Sequence, residues 1–145
     1  LPLDFPALDR ALAEVKARIP GCRFWMEPGR YIASEMGVLI ARVTQLKGKG
    51  EFQYIGIATG MNSLIRPALY GAYHEIVNLS RFGEPAEQTF NIVGPICESG
   101  DVLGADRLLP ATREGDILLI ANAGAYGRAM SSSYNLRDPA EEIVI

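Results

Sequence analysis

The chain is poor in the residues that build metal and disulfide scaffolds, with two cysteines and one histidine among 145 residues. Cys22 and Cys97 lie far apart with no CxxC spacing, which suggests neither a zinc site nor a disulfide framework. A reducing, cytoplasmic setting is the expectation. Basic excess is also missing. With 14 Lys and Arg against 17 Asp and Glu, the net charge is −3, which argues against nucleic acid as a partner. No apolar run approaches the roughly 20 residues that cross a bilayer. The longest, in Asp116–Ala121, has the length of a buried strand. An initiator Met is absent too: Leu1-Pro2-Leu3-Asp4 carries neither a basic region nor a cleavage signal. The segment is expected to derive from inside a longer protein.

What is present is enough apolar residues, 48% of the chain, to bury a real core. Phe5, Leu8, Leu12, Val15 and Ile19 recur at 3–4–3–4 spacing, the apolar stripe of an amphipathic helix. Asp4 is placed to cap this helix, Pro6 suits its first turn, and Pro20-Gly21 stops it. A short strand is expected over Cys22–Met26, followed by a turn at Glu27–Arg30, which completes one α/β unit. From Gly37 onward the pattern becomes short β-like runs between turn residues. Runs are expected at Val38–Thr44, Phe52–Ala58, Tyr73–Leu79, Gln88–Val93, Ile117–Ala121 and Glu141–Ile145, with a hairpin turn at Lys47–Gly50. Strands at this spacing predict a mainly β fold, a barrel or sandwich, after an α/β segment.

Four loop segments are unusually rich in special residues. Glu27-Pro28-Gly29-Arg30 sets an acid, a glycine amide and a guanidinium side by side, a group able to hold a polar anionic ligand. The same residues also suit an ordinary turn with a surface ion pair. In Gly60–Tyr70, Arg66 and Tyr70 are four apart, so a helical turn places both on one face. Arg66 can then grip a carboxylate, or simply pack on an aromatic ring. Gly94-Pro95-Ile96-Cys97-Glu98-Ser99-Gly100-Asp101 sets Cys97 among turn residues, where a thiol can act as acid or nucleophile; a small buried hydrophobe is the plainer reading. Gly124-Ala125-Tyr126-Gly127 follows a buried strand. Its glycines suit close backbone approach to a ligand, with the Tyr126 hydroxyl as donor, and equally suit a plain turn.

In this order, and with Met130–Asn135 after them, the four segments resemble the diaminopimelate decarboxylases, fold-type III enzymes dependent on pyridoxal 5'-phosphate. The resemblance covers essentially the whole chain. It implies that residues 1–33 end a (β/α) barrel, with its last helix, strand and exit loop. Residues 34–145 would then form a C-terminal β domain of barrel or sandwich type with Greek-key-like connections. It implies a homodimer with shared active sites, meso-diaminopimelate as substrate, L-lysine and CO2 as products, and no metal. Glu27 would face the cofactor's pyridine nitrogen, Gly29 and Arg30 its phosphate, and Tyr126 both cofactor and substrate. Arg30 would also reach a substrate carboxylate. Arg66 and Tyr70 would hold the distal carboxylate, Glu98 the distal ammonium, and Cys97 would be the proton donor, the last two serving the partner's site. One departure stands out: family members carry an Asp just before Gly60, where this chain reads Ala58-Thr59.

Lys16, Lys47 and Lys49 are the only lysines. None follows a strand into a pocket, so the Schiff-base lysine is expected elsewhere and this segment alone is expected to be inactive. His74 reads as structural. Two other readings remain: a related ornithine- or arginine-type decarboxylase, and a non-catalytic dimerisation or regulatory module of a multifunctional protein.

Overall fold

A computed structural model describes residues 3–49 and 52–145. The first element, α1 (Phe5–Arg18), forms as its stripe predicts. The Asp4 carboxylate accepts the Ala7 N–H at 2.9 Å, satisfying one of the helix's free amides. The Ile19 N–H bonds the carbonyls of Val15 and Lys16, and Gly21 turns the chain away at φ 86°. No residue of α1 is buried. Leu12 and Ala13 border a groove with Phe24 and Trp25, and Phe5 meets the Tyr31 ring edge-on at 5.4 Å.

The expected strand over Cys22–Met26 does not form. A strand exists through its ladder, and none of the strands described below pairs with this segment. Trp25 is accordingly 85% exposed. The next segment coils into α2 (Gly29–Ala33), where a simple turn was expected, and runs into a 3₁₀ turn at Ser34–Met36.

The body of the fold is one six-stranded sheet: β1 (Leu39–Lys49), β2 (Phe52–Ile57), β3 (Ile76–Asn78), β4 (Gln88–Val93), β5 (Val102–Leu109) and β6 (Ile117–Ile120). Their spatial order is β3-β6-β1-β2-β4-β5, antiparallel except for the parallel β2–β4 pair. Edge strands β3 and β5 touch, so the sheet curls into a nearly closed barrel, within the barrel-or-sandwich expectation. β1 serves two neighbours. Its first half pairs with β6 and its second with β2, with an irregularity between Val43 and Gln45 where it bends.

Alternation produces the core. Leu39, Ala41 and Val43 point inward from β1, Ile55 and Ile57 from β2, Phe90 and Ile92 from β4, and Leu118 and Ile120 from β6. Leu64, from the loop after β2, closes one end. Each of the Val, Leu, Ile and Phe side chains contributes about 1.5–3 kcal/mol by leaving water.

Several boundaries differ from the sequence reading. β1 continues through Lys49, so Lys47–Lys49 belong to a ladder with Phe52–Tyr54, and residues 50–51 of the expected turn lie outside the described ones. β3 is shorter than the Tyr73–Leu79 run. β5 was not anticipated, because Gly104, Asp106 and Arg107 break its apolar alternation. Asp106 takes a left-handed φ of 51° there and the pairing with β4 slips register. The expected final strand over Glu141–Ile145 does not form. None of the six strands pairs with that segment.

Candidate active site

A cleft of about 960 Å³ opens beside the barrel, between the α2 segment, α3 (Arg66–Tyr70) and the loop after β6. It gathers Glu27, Gly29, Arg30, Arg66 and Tyr126, which are distant in sequence. Arg66 is the best placed of them. It opens α3, a one-turn helix closed by Gly71 at φ 61°, and its guanidinium carbon sits 5.7 Å from the Tyr70 ring centre and 5.9 Å from that of Tyr126. The helical turn anticipated for Arg66 and Tyr70 is therefore present, and two ring faces hold the cation in place. A guanidinium presented this way can take a carboxylate through two parallel N–H donors.

Tyr126 has a left-handed backbone, φ 58°, which for a non-glycine residue costs of order 1 kcal/mol. Its hydroxyl lies about 4.0 Å from where a side chain on Gly29 would begin. A side chain on either flanking glycine would meet this chain's own backbone. A Cβ on Gly124 would collide with the carbonyl of Ala33 and reach 2.7 Å from the Gly37 amide, and one on Gly127 would strike the Ala123 carbonyl. The close approach is thus between two stretches of this chain's own backbone. Ala123 donates to Gly37 at 2.8 Å and Gly124 to Ser34 at 3.1 Å. These bonds tie the segment bearing Glu27 and Arg30 to the loop bearing Tyr126.

Tyr73 and His74 also line the cleft, though the sequence reading assigned neither a ligand. His74 is buried, with Nδ1 2.8 Å from the Ala121 carbonyl and Nε2 without a hydrogen-bond partner among the described residues. Tyr73 carries the Arg107 guanidinium 3.8 Å above its ring and donates to Glu75 at 2.6 Å, a bond that, with partial desolvation, raises the phenol above its ordinary pKa. Among the described residues no lysine lines the cleft. Lys16 borders the groove under α1, and Lys47 is exposed on β1. Among the described residues no three His, Cys, Asp or Glu side chains gather as metal ligands, and no helix is long and apolar enough to cross a membrane.

Cys97 and Glu98 are not in this cleft. Both are exposed on the loop between β4 and β5, with the Cys97 amide donating to Asn135 Oδ1 at 3.0 Å. Asp101, 3% exposed, anchors that loop by accepting the N–H of Ile96 at 2.7 Å and of Met61 at 2.6 Å. Burial pushes its carboxyl above the ordinary range, and the two amide bonds pull it back part of the way. The loop before α3 is held as well by Asn62, whose amide reaches the carbonyls of Arg137 and Asp138. Thr59, in the segment that departs from the family pattern, bonds Ser63 through its hydroxyl at 2.5 Å. Asp101 and Asn135 were visible only as members of motifs. Their roles depend on loops that meet across 40 residues or so of chain.

Residues 30–124 match the family described as pyridoxal-dependent decarboxylase, C-terminal sheet domain. The chain is 44% identical over 145 residues to the diaminopimelate decarboxylase of Aquifex aeolicus, covering 99% of this chain and 33% of that protein. It is 45% identical over 123 residues to that of Archaeoglobus fulgidus, covering 85% and 29%. Its fold matches the crystal structure of diaminopimelate decarboxylase from M. jannaschii in complex with L-lysine with a TM-score of 0.80, at 35% identity over 92% of this chain and 30% of that one. The chain spans about a third of the length of these relatives.

Proposed function

Since this chain belongs to the pyridoxal-dependent decarboxylase family, to which its β barrel is the C-terminal sheet domain, we propose that it forms the C-terminal part of a diaminopimelate decarboxylase. The whole enzyme converts meso-diaminopimelate to L-lysine and CO2 in the cytoplasm. In this reading residues 1–33 close the barrel domain and residues 34–145 form the sheet domain. The observation that carries the proposal is Arg66, lodged between Tyr70 and Tyr126 on the wall of the cleft that Glu27 and Arg30 also line.

The donor set suits pyridoxal phosphate. An acid, a guanidinium and a phenol around one cleft match a protonated pyridine ring that bears a phosphate. Glu27 would hold the ring nitrogen, Gly29 and Arg30 would hold the phosphate, and Tyr126 would contact both cofactor and substrate. When bound, the cofactor supplies the electron sink for loss of CO2.

The chain's own residues select the substrate and handle a proton. Diaminopimelate carries an amino-acid group at each end, so a specific site needs a cation and an anion at the far end. Arg66, steadied by Tyr70, takes the distal carboxylate, Arg30 reaches the other carboxylate, and Glu98 takes the distal ammonium. Cys97 gives a proton to the carbon that CO2 leaves. As the resemblance implies, Cys97 and Glu98 serve the cleft of a second copy and the working unit is a homodimer; their exposure on a loop outside this cleft supports that reading. The Schiff-base lysine is supplied by the barrel domain, without which this segment is inactive; that no lysine lines the cleft among the described residues is in keeping with this.

The test is decarboxylation of meso-diaminopimelate against ornithine, arginine and lysine by the full-length protein loaded with pyridoxal phosphate. A strong preference for diaminopimelate, lost in Cys97→Ala and Glu98→Ala, is expected. Activity on ornithine or arginine alone would overturn the roles of Arg66 and Glu98. Failure to bind the cofactor would favour a non-catalytic module.

A further inference from the structure

Two segments proposed to act on substrate, the loop entering α3 and the loop bearing Cys97, meet at one buried carboxylate. Asp101 Oδ1 accepts the Met61 N–H at 2.6 Å, and Oδ2 accepts the Ile96 N–H at 2.7 Å. Met61 opens the turn that leads into α3 and Arg66, while Ile96 immediately precedes Cys97. The packing around the carboxylate leaves no slack. Gly60 and Gly94 press on it so closely that a Cβ on either would overlap the Asp101 oxygens. The backbone around it is closed as well, with Gly94 N–H donating to the Asp101 carbonyl at 3.0 Å and Asp101 N–H to that of Glu98 at 3.0 Å.

We infer that Asp101 is a positioning residue that sets, from a single buried carboxylate, both the Arg66 arm and the Cys97 arm of the domain. This rests on the roles proposed above for Arg66 and Cys97. Two acceptor atoms facing two backbone donors define what the position requires. Asparagine has one acceptor, and its NH2 would confront whichever backbone N–H the acceptor does not serve. One loop or the other is then released. If Cys97 and Glu98 reach the second copy's cleft while Arg66 lines the local one, the same carboxylate ties the two active sites of the dimer together.

The experiment uses the full-length, cofactor-loaded enzyme and compares Asp101→Asn with Cys97→Ser and Arg66→Lys. Cys97→Ser is expected to lower kcat and Arg66→Lys to raise KM for diaminopimelate. Asp101→Asn touches neither substrate nor cofactor, yet is expected to do both, lowering kcat by roughly 10²-fold through displacement of the acid and raising KM about tenfold. Its cofactor absorbance should stay that of the wild type. An Asp101→Asn enzyme that is folded and loaded, with wild-type kcat and KM, overturns the inference; so does an effect on one parameter alone. If the variant does not accumulate, hydrogen exchange of the wild type decides. Peptides holding the Met61 and Ile96 amides should be protected alike although neither residue lies in a helix or strand, and fast exchange in either overturns the clamp. If the wild type shows no activity on diaminopimelate, or Cys97→Ala keeps full activity, the functional reading fails instead, and the exchange measurement still judges Asp101.

Discussion

Replacing Asp116 by alanine removes the centre of a network at the foot of β6. One oxygen, Oδ2, accepts from Asn78 Nδ2 at 3.0 Å, Arg81 Nε at 2.8 Å and the Arg113 N–H at 2.9 Å. Without it, Asn78 keeps only the Thr112 hydroxyl at 3.0 Å and Arg81 keeps only Glu84 at 3.4 Å, while the Arg113 amide has no alternative acceptor in this network. Two amide donors to an ionised acceptor contribute about 1.5 kcal/mol each at the lower end of their range. Arg81 reaches solvent, so nothing is added for that pair. The loss for Asp116→Ala is therefore about 3 kcal/mol. Asp116→Asn, which can keep one acceptor, should lose roughly half as much. Hydrogen exchange in the β3 and β6 segments of the full-length protein, under increasing urea, measures this directly. Values for Asp116→Ala within about 0.5 kcal/mol of wild type, the ordinary range of surface changes, would refute the reasoning. The pH dependence gives a second check. Burial alone would raise the Asp116 carboxyl, but the bonds from Asn78, the Arg113 amide and Arg81 outweigh it and hold the group below its ordinary value. A folded pKa below the unfolded one, about 3.9, means that the ionised group stabilises the fold above that value. That contribution is lost as pH falls through the folded pKa. The gap between wild type and Asp116→Asn should be constant from neutral pH down to about 5 and shrink below about 4.

Leu118→Ala, at a fully buried position between β1 and β3, should cost about 3 kcal/mol in the same exchange experiment. Gly124→Ala should push the α2 segment off the loop after β6, costing about 2 kcal/mol. It should also weaken cofactor binding, read by absorbance titration, because Arg30 and Tyr126 part. Arg66→Lys keeps the charge but loses the planar fork held by two rings. KM for diaminopimelate should rise roughly 10- to 100-fold with the cofactor spectrum unchanged.

Elements whose stability is local could be read from the residues. The α1 stripe, its Asp4 cap and its Pro20-Gly21 stop all act within a few residues, and the helix forms where they place it. The β-like runs at Gln88–Val93 and Ile117–Ala121 identified β4 and β6, which form because each finds neighbours to pair with. Cys22–Met26 and Glu141–Ile145 failed because β-like composition supplies no ladder; a strand needs a neighbour, and none is paired to either. β5 failed in the opposite direction, since its partner β4 imposes a strand on a segment whose Gly104, Asp106 and Arg107 argue locally for a loop.

By itself, the sequence determined the family, the mainly β class and the identity of the chemically capable residues, because ordered motifs and side-chain chemistry are properties of the chain. Only the tertiary structure decided which of those residues share a site. Glu27, Arg30, Arg66 and Tyr126 come together because Ala123 and Gly124 bond the backbone of Ser34 and Gly37. Cys97 and Glu98 stand apart because their loop is held by Asp101 and Asn135. Contacts of that span depend on how the barrel closes, and no local pattern of residues encodes them.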